Sequence, residues 1–397
     1  MNVGSRAAGA RVRRHGCRTS DAGGLDGLCP PFAGVCATIQ AVETLSLRQL
    51  NRATLARQML LRREKVGVVE AVERLGGLQA QEPKPPFIAL WTRLEGFRRE
   101  QLHDAVHNGR IVRATAMRAT LHLLSAADYA ALREALQPVM SAAMAAVRGR
   151  DQGLELDELL PEARRLLKRQ PRRFNELRAL LVEAFPHVNE RALGYATRMH
   201  LPLVMVPSDD RWSYPSDAAF ALSTGKLARA DPAPLVRRHL GAFGPATAAD
   251  IQTWSGLRGL NEVLADMELA TFTHGRRTLF DLPDAPRPPE DVPAPPRFLP
   301  EFDSLLLAHK DRTRVIADEH RKSLTTKNLR VKATFLIDGF AAGSWSMARK
   351  RDTATLTVEP FAKLPRGAKD ELAAEGEGLL RFAEPDAAKR RVEFSRA

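Results

Sequence analysis

The apolar positions near the start of the chain repeat at helical spacing. After "SLRQ", which has the pattern of a capping box, an apolar stripe from Leu47 through Leu60 predicts a helix that reaches about Arg63. Three further helical patterns follow, and Gly76-Gly77 ends the first of them. "RIVRATAMRATLHLLS" then alternates apolar and polar residues, which predicts two strands with a tight turn near residues 116–119. Helices followed by a hairpin are the order of a winged helix.

The same order of helices and hairpin appears twice more along the chain. Three helical patterns precede "PLVMVPSDDRWSYPS", in which Ser208-Asp209-Asp210 is the predicted hairpin turn. Three more precede "ATFTHGRRTLFDLP", where His274-Gly275 is the predicted turn. This internal repeat of architecture predicts three tandem winged-helix units, at residues 44–150, 151–228 and 229–284.

The two ends of the chain differ from these units. Residues 1–43 are rich in Gly, Ala and Arg without any period, and we interpret them as a disordered extension or a start-site artefact. The proline-rich residues 285–300 are interpreted as a linker or a surface strap. Residues 301–397 hold three strand patterns, with a turn at Asp338-Gly339, and predict a small antiparallel β-barrel. The predicted fold class is therefore α+β: three tandem winged-helix units followed by a small C-terminal β-barrel domain.

The charge of the chain points to an anionic partner. Lys and Arg number 60 against 47 Asp and Glu, which leaves a net charge of +13. This balance favours nucleic acid first and an anionic membrane surface second; an arginine-rich proteome is the alternative explanation. No apolar run approaches the roughly 18 residues that span a bilayer, so no membrane partner is predicted. All three cysteines precede residue 37, which excludes a thiolate site in the folded body and predicts a cytoplasmic location.

The segment "LGGLQAQEP" places two glutamines on either side of one alanine. Residues i and i+2 project to the same side only in an extended segment. Gly76-Gly77 ends the preceding helix, and Pro83 favours an extended Glu82. Gln79 and Gln81 are therefore expected to point together into one cleft, and two surface-loop glutamines are the alternative. Glu82 is a further candidate for a base, although its side chain should point away from the pair.

Several other polar residues are candidates for contact with DNA. The second strand of the first hairpin carries Arg118, Thr120 and His122 at alternate positions, either as a wing that contacts DNA or as a solvated hairpin edge. The remaining candidates are basic, and they form either phosphate contacts or ordinary surface charge: Arg276, Arg277, Lys310, Arg312 and Arg314.

The sequence predicts no metal and no cofactor. His103 and His107 have a spacing that can bind metal, but the glutamate of zinc hydrolases is missing, so we interpret them as an exposed helix face. Phosphate-binding and dinucleotide-binding glycine motifs are absent from the sequence. Asp303 is expected to orient a loop of the barrel or an arginine such as Arg312.

Longer motifs make the chain similar to a known family. "LGGLQAQEP" with "FIALWTRLEGF", "MRATLHLLSAADY", "LPEFDSLLLAHKDRTRV" and "FLIDGFAAGSW" resemble the bacterial winged-helix DNA glycosylases of the AlkZ/YcaQ type over roughly residues 44–385. The resemblance implies three tandem winged helices and a β-barrel around DNA. It also implies that Gln79-Ala80-Gln81 is the catalytic motif. A sister branch has Asp in place of the second Gln, so this chain looks closer to the branch that unhooks bulky adducts and crosslinks.

Two amides suit one particular glycosidic substrate. An N7-alkylated purine is already cationic and leaves as a neutral base, so the reaction requires no general acid. The carbonyl oxygen of a carboxamide accepts a hydrogen bond from water, and its NH₂ group donates elsewhere. The expectation is a monofunctional DNA glycosylase that acts as a monomer on double-stranded DNA with alkylated purines, associated with the nucleoid and without an obligate protein partner. A winged-helix regulator without catalysis and a drug-sequestering self-resistance protein are the alternatives.

Overall fold

The computed structural model describes residues 42–325 and 330–395, so the predicted extension lies almost wholly outside the described residues. The predicted capping box is confirmed: Ser46 Oγ accepts from Gln49 N–H over 3.0 Å, and Gln49 Oε1 accepts from Ser46 N–H over 2.7 Å. The helix that it starts ends at Arg57, earlier than predicted, and Met59 has a φ of +54°.

The first part of the chain contains helices on both sides of a hairpin. Its elements are α1 (Leu47–Arg57), α2 (Val68–Arg74), β1 (Leu78–Gln79), α3 (Pro85–Arg93), α4 (Arg99–His107), β2 (Ile111–Thr115), β3 (Leu121–Ser125), α5 (Ala126–Leu132) and α6 (Gln137–Ala143). The predicted hairpin and its turn are confirmed, because β2 pairs antiparallel with β3.

The next two parts each contain three helices and two strands. These are α7 (Leu156–Arg169), α8 (Phe174–Ala184), α9 (Glu190–His200), β4 (Leu203–Met205) and β5 (Phe220–Leu222), then α10 (Ala233–Phe243), α11 (Ala248–Ser255), α12 (Leu260–Ala265), β6 (Ala270–His274) and β7 (Arg277–Asp281). The turn between β6 and β7 lies where the sequence predicts it. β4 instead pairs with β5 across a long loop, because Pro207 and Pro215 cannot donate to a strand ladder.

The strands of the first two parts join one sheet. Its order is β1-β3-β2-β4-β5, and Ala114 of β2 pairs with Val204 of β4, whereas β6 and β7 form a separate two-stranded sheet. The first two parts, which the sequence predicts as separate units, therefore share one β-sheet. The division into three winged-helix units stays a prediction.

The C-terminal part is an open sheet where the sequence predicts a closed barrel. Its elements are β8 (Arg297–Leu299), β9 (Thr334–Ile337), β10 (Phe340–Lys350), β11 (Thr353–Pro360), α13 (Ala368–Ala383) and β12 (Lys389–Phe394). The strand order β12-β11-β10-β9-β8 leaves two free ends among the described strands. β12 runs parallel to β11, because α13 carries the chain back across the sheet. β8 also belongs to this sheet, although all of it lies in the predicted proline-rich linker, so the end of that segment is a strand.

Buried ion pairs connect the N-terminal helices to distant segments. Arg57 Nη1 lies 2.6 Å from Asp281 Oδ1, and both side chains are almost fully buried. Arg93 Nη2 lies 2.9 Å from Asp303 Oδ1. Asp303 thus pairs with Arg93 and not with Arg312, the arginine that the sequence suggested. None of the described helices is both long and apolar enough to cross a membrane.

Candidate active site

Glycine geometry and a short strand hold the segment that follows α2. Gly76 and Gly77 have φ values of +69° and +83°, a left-handed conformation that glycine adopts readily. A Cβ on Gly77 would lie 2.5 Å from Leu124 Cδ2, so a larger residue does not fit. β1 then pairs with β3, and Ala80 N–H donates to Leu121 O over 2.7 Å. The glycine pair therefore places the glutamine segment along the edge of the five-stranded sheet.

The two glutamines differ in exposure, but each is held through its carbonyl oxygen. Gln79 is buried, and its Oε1 accepts from Arg118 Nη2 over 2.7 Å. Gln81 is exposed, and its Oε1 accepts from Leu121 N–H over 2.9 Å. Both partners are pure donors, which identifies the oxygen end of each amide. Within the described ranges neither NH₂ group has a partner, so each amide retains two donors and a second oxygen lone pair.

Arg118 orients Gln79 from a strained turn between β2 and β3. Arg118 and Ala119 both have a φ of +54°, which is unusual for residues other than glycine and is often found at functional sites. The second guanidinium nitrogen of Arg118 donates to Trp254 O over 2.5 Å. Burial, and then the nearby charge of Arg312, lowers the pKa of Arg118 to about 10, so the group stays charged at neutral pH.

Arg113 holds the backbone of the same segment, and the sequence analysis missed it. Its Nε donates to Ala80 O over 2.9 Å, and its Nη2 donates to Gln81 O over 3.0 Å. The guanidinium also lies 5.1 Å from the ring centre of Tyr214. Burial lowers the pKa of Arg113 to about 10. An arginine in the middle of the otherwise apolar strand "RIVRAT" is the signal that could have identified this residue.

His122 and Thr120 lie inside the protein beside this site. His122 is completely buried, and its Nδ1 lies 3.0 Å from Thr120 O. Its Nε2 has no partner among the described residues. Burial, and then the charge of Arg118, lowers the pKa of His122 to about 3, so the ring is neutral at physiological pH. Thr120 Oγ1 donates to Met117 O over 3.0 Å. His122 is therefore a buried residue of β3 that pairs with Gln79 of β1, and it does not lie on a solvated hairpin edge.

The three predicted basic residues of segment 310–314 face different surroundings. Lys310 is exposed, whereas Arg312 is half-buried and its buried Nε has no described partner. Arg314 is buried, and its Nη1 donates to Pro245 O over 2.9 Å and to Thr54 Oγ1 over 3.3 Å. A phosphate contact by Arg314 would break these bonds, whereas the side chains of Lys310 and Arg312 have no such bonds to lose among the described residues.

The third hairpin approaches the same basic segment. Arg276 is exposed at its turn. Arg277 Nη1 lies 2.5 Å from Asp311 Oδ2. This ion pair connects β7 to the residue just before Arg312, so the structure brings together two groups of candidates that are far apart in sequence.

A cavity of about 450 Å³ opens one residue beyond Gln81. Glu82, Lys84, Ile88, Trp345 and Met347 are among the residues that line it, so its walls come from the glutamine segment, α3 and β10. Glu82 Oε1 accepts from Arg330 Nη1 over 3.3 Å. This volume lies within the range of about 300–1,000 Å³ that is typical of ligand pockets.

Comparison with known proteins shows which class of protein this fold and site belong to. The family model of the AlkZ-like DNA glycosylases matches residues 72–382, which is most of the chain and includes the glutamine pair. The chain therefore belongs to the AlkZ-like DNA glycosylase family, and the predicted family resemblance is confirmed.

Two particular relatives come from one organism. An interstrand DNA cross-link repair glycosylase of Streptomyces sahachiroi is 26% identical over 358 residues, which cover 83% of this chain and 95% of the relative. The solved structure of the Streptomyces sahachiroi DNA glycosylase AlkZ matches with a TM-score of 0.75 and 22% identity. That match covers 89% of this chain and 100% of the solved chain, and it shows that the two share a fold.

Proposed function

We propose that this protein is a monofunctional DNA glycosylase that hydrolyses the N-glycosidic bond of N7-alkylated purines in double-stranded DNA. One observation carries the proposal. Gln79 and Gln81 are each held through the carbonyl oxygen by a donor from one short stretch, Arg118 to Leu121, while both NH₂ groups stay open. Two carboxamides preorganised at one sheet edge suit a reaction that depends on orientation.

The surroundings of the pair favour a substrate that needs no acid. His122 lies directly across the strand pair from Gln79, and its lowered pKa of about 3 keeps it unprotonated at neutral pH. A normal purine would need a proton before it leaves. An N7-alkylated purine carries its positive charge already and departs as a neutral base.

The remaining task is to orient water and to stabilise charge on the sugar. The second lone pair of each glutamine oxygen accepts a hydrogen bond from the attacking water. Arg118 donates to the oxygen of Gln79, which polarises that amide and fixes its rotamer. Phosphates beside the lesion supply the negative charge that a cationic sugar requires.

The same residues favour a monofunctional enzyme. Bifunctional cleavage requires an amine that forms a Schiff base with the sugar. An amide nitrogen is not a nucleophile of that kind, so we expect the abasic site to remain as the product. Incubation with borohydride should trap no covalent complex between protein and DNA.

The first test measures release of free base from duplex DNA that carries N7-methylguanine. Gln79→Ala and Gln81→Ala should each slow single-turnover excision about 10²–10³-fold, because a preorganised hydrogen-bonding group is lost. Affinity for the duplex should change little. Gln152, which is exposed and remote in sequence, provides the matched control as Gln152→Ala.

A further variant distinguishes orientation of water from other roles. Gln81→Asp supplies a carboxylate at the position where the sister branch has Asp, and it should retain activity. Excision at the wild-type rate by both alanine variants would show that the glutamine pair is structural. Wild-type protein that binds the duplex but releases no base would favour a regulator or a drug-sequestering protein.

The cavity beside Gln81 supports the extension of this proposal to bulky adducts and crosslinks. Met347 is half-buried on its wall, so Met347→Trp should reduce the volume without disturbing the glutamines. We expect excision of a bulky N7 adduct to fall several-fold and excision of N7-methylguanine to stay unchanged. Met347→Leu, which conserves volume, is the control. An equal effect on both lesions would show that the adduct lies elsewhere.

A further inference from the structure

The fold brings a carboxylate to the two histidines of α4. The rings of His103 and His107 stack with centroids 4.1 Å apart and planes 20° apart. Asp209 lies on the loop between β4 and β5, about a hundred residues further along the chain. One donor atom from each of these three residues lies within 4.8 Å of the other two. The sequence alone showed only the histidine pair.

The surroundings of His107 fix its tautomer. His107 Nε2 lies 3.1 Å from Ser208 O. A backbone carbonyl only accepts hydrogen bonds, so Nε2 carries the proton and Nδ1 keeps a free lone pair. Histidines that bind metals commonly donate their other N–H to a carbonyl in this manner. This bond holds the ring of His107 against the same loop that carries Asp209.

The other two donors are not used by the protein. Over residues 42–325 and 330–395, neither the imidazole of His103 nor the carboxylate of Asp209 makes a hydrogen bond or an ion pair. His103 is half-buried, and Asp209 is exposed. Both are therefore available to a ligand from solvent.

The charges around the cluster are compatible with a cation. Glu100, Asp210 and Asp386 line the adjoining cavity of about 430 Å³ together with Arg99 and Arg211. The two arginines are engaged elsewhere: their guanidinium groups lie 5.6 Å and 5.2 Å from the ring centre of Trp212, and Arg211 also pairs with Glu384.

We propose that His103, His107 and Asp209 form a binding site for a divalent transition metal such as Zn²⁺, with water completing the coordination. Imidazole and carboxylate are common zinc ligands, and three protein ligands plus water are a common set. Bond lengths of about 2.0–2.2 Å put tetrahedral ligands about 3.4 Å apart. The donors now lie within 4.8 Å of one another, so binding requires the two stacked imidazole rings to rotate until their lone pairs converge on the metal.

Such a metal would tie α4 to the β4–β5 loop at a position that supports the glutamine segment. Trp212 of this loop packs edge-on against Phe87 of α3, with ring centres 5.1 Å apart. Lys84 Nζ lies 5.7 Å from the same ring, just before α3 begins. The role that we assign to the metal is to stabilise the contacts of Trp212 with α3 and Lys84, not to take part in the reaction. The proposal therefore does not depend on the identity of the substrate.

The test uses full-length protein without an affinity tag, stripped with chelator and then titrated with Co²⁺ and with Zn²⁺. One equivalent of Co²⁺ should give visible absorption bands, and Zn²⁺ should displace it. His107→Ala and Asp209→Asn should each weaken binding about 10-fold or more, because a direct ligand is lost. His187→Ala removes another exposed histidine and should bind as the wild type does.

Thermal unfolding provides a second readout. Zn²⁺ should raise the melting temperature of the wild type and of His187→Ala, and it should leave His103→Ala/His107→Ala unchanged. Circular dichroism of the metal-free proteins checks that each variant is folded. Absence of stoichiometric binding by the wild type, or unchanged affinity in the ligand variants, would overturn the proposal.

Discussion

The sheet edge that carries the glutamine pair and the basic segment at residues 310–314 both contain arginines, but these arginines meet different surroundings. At the sheet edge, Arg113 is buried and Arg118 is half-buried, and both donate to oxygens of the glutamine segment. In the basic segment, Arg314 is buried and donates to protein oxygens, whereas the half-buried side chain of Arg312 donates to none of the described residues.

The difference shows that residue type alone does not assign a role to a cation. A buried guanidinium group is tolerated where carbonyl or amide oxygens accept hydrogen bonds from its N–H groups. A substitution that removes such an arginine leaves these oxygens without a donor. A half-exposed cation without a protein acceptor keeps donors that are available for a phosphate. Variants of the two kinds of arginine should therefore have different effects on excision rate, DNA affinity and stability.

Arg118→Met should cause the largest loss, because it frees the side chain of Gln79 while keeping most of the buried volume. We expect single-turnover excision to fall about 10²-fold, as a small displacement of a catalytic group typically costs that much. Duplex affinity should change far less. Arg110→Met, at an exposed position next to β2, is the matched control. If excision rate and duplex affinity fell by the same factor, Arg118 would be a DNA contact and not a support for Gln79.

Lys310→Ala/Arg312→Ala should weaken duplex binding about tenfold and reduce the dependence of log affinity on log salt by about one for each phosphate contact that is lost. The free energy of unfolding should stay near the wild-type value. Arg314→Ala should do the reverse, lowering the free energy of unfolding by about 1–3 kcal/mol, because buried carbonyl groups lose their donor. Salt titrations and urea unfolding separate the two outcomes, and an unchanged salt slope would place the DNA surface elsewhere.

Acid should destabilise both regions through neutral buried histidines. Burial lowers the pKa of His122 to about 3, and it also lowers the pKa of His309 well below its usual value. The unfolded chain binds a proton near pH 6.5, whereas the folded chain does not. The free energy of unfolding should therefore fall as pH decreases below about 6.5, by about 1 kcal/mol per histidine over the first unit.

A single variant checks that interpretation. His122→Asn should reduce the slope of unfolding free energy against pH between about pH 6.5 and 5. The excision rate of the wild type should stay flat near neutral pH, because neither glutamine titrates. A bell-shaped rate profile centred near neutral pH would show that a titrating group takes part in the chemistry.

Much of the local structure could be predicted from the sequence. The capping box at Ser46, the glycine stop after α2 and the turn at Asp338-Gly339 depend on a few adjacent residues whose backbone preferences are strong. The glycine pair also fits the short strand that ends at Gln79, whereas residues 81–84 form a bend where the sequence predicted an extended Glu82. The longer motifs also carried the family assignment, since they include this segment. The catalytic role of the two glutamines remains a prediction.

Only the tertiary structure decided how distant segments combine. Pairing of Ala114 with Val204 joins two predicted units in one sheet, and the C-terminal sheet is open because the described strands β8 and β12 do not pair with each other. Such pairings depend on contacts between residues far apart in sequence, and periodicity carries no signal for them. Packing between distant segments also directs Arg118 to Gln79, and it brings Asp209 to the histidines of α4. The sequence determined which side chains this protein has for its chemistry, and packing between distant segments determined which of them meet.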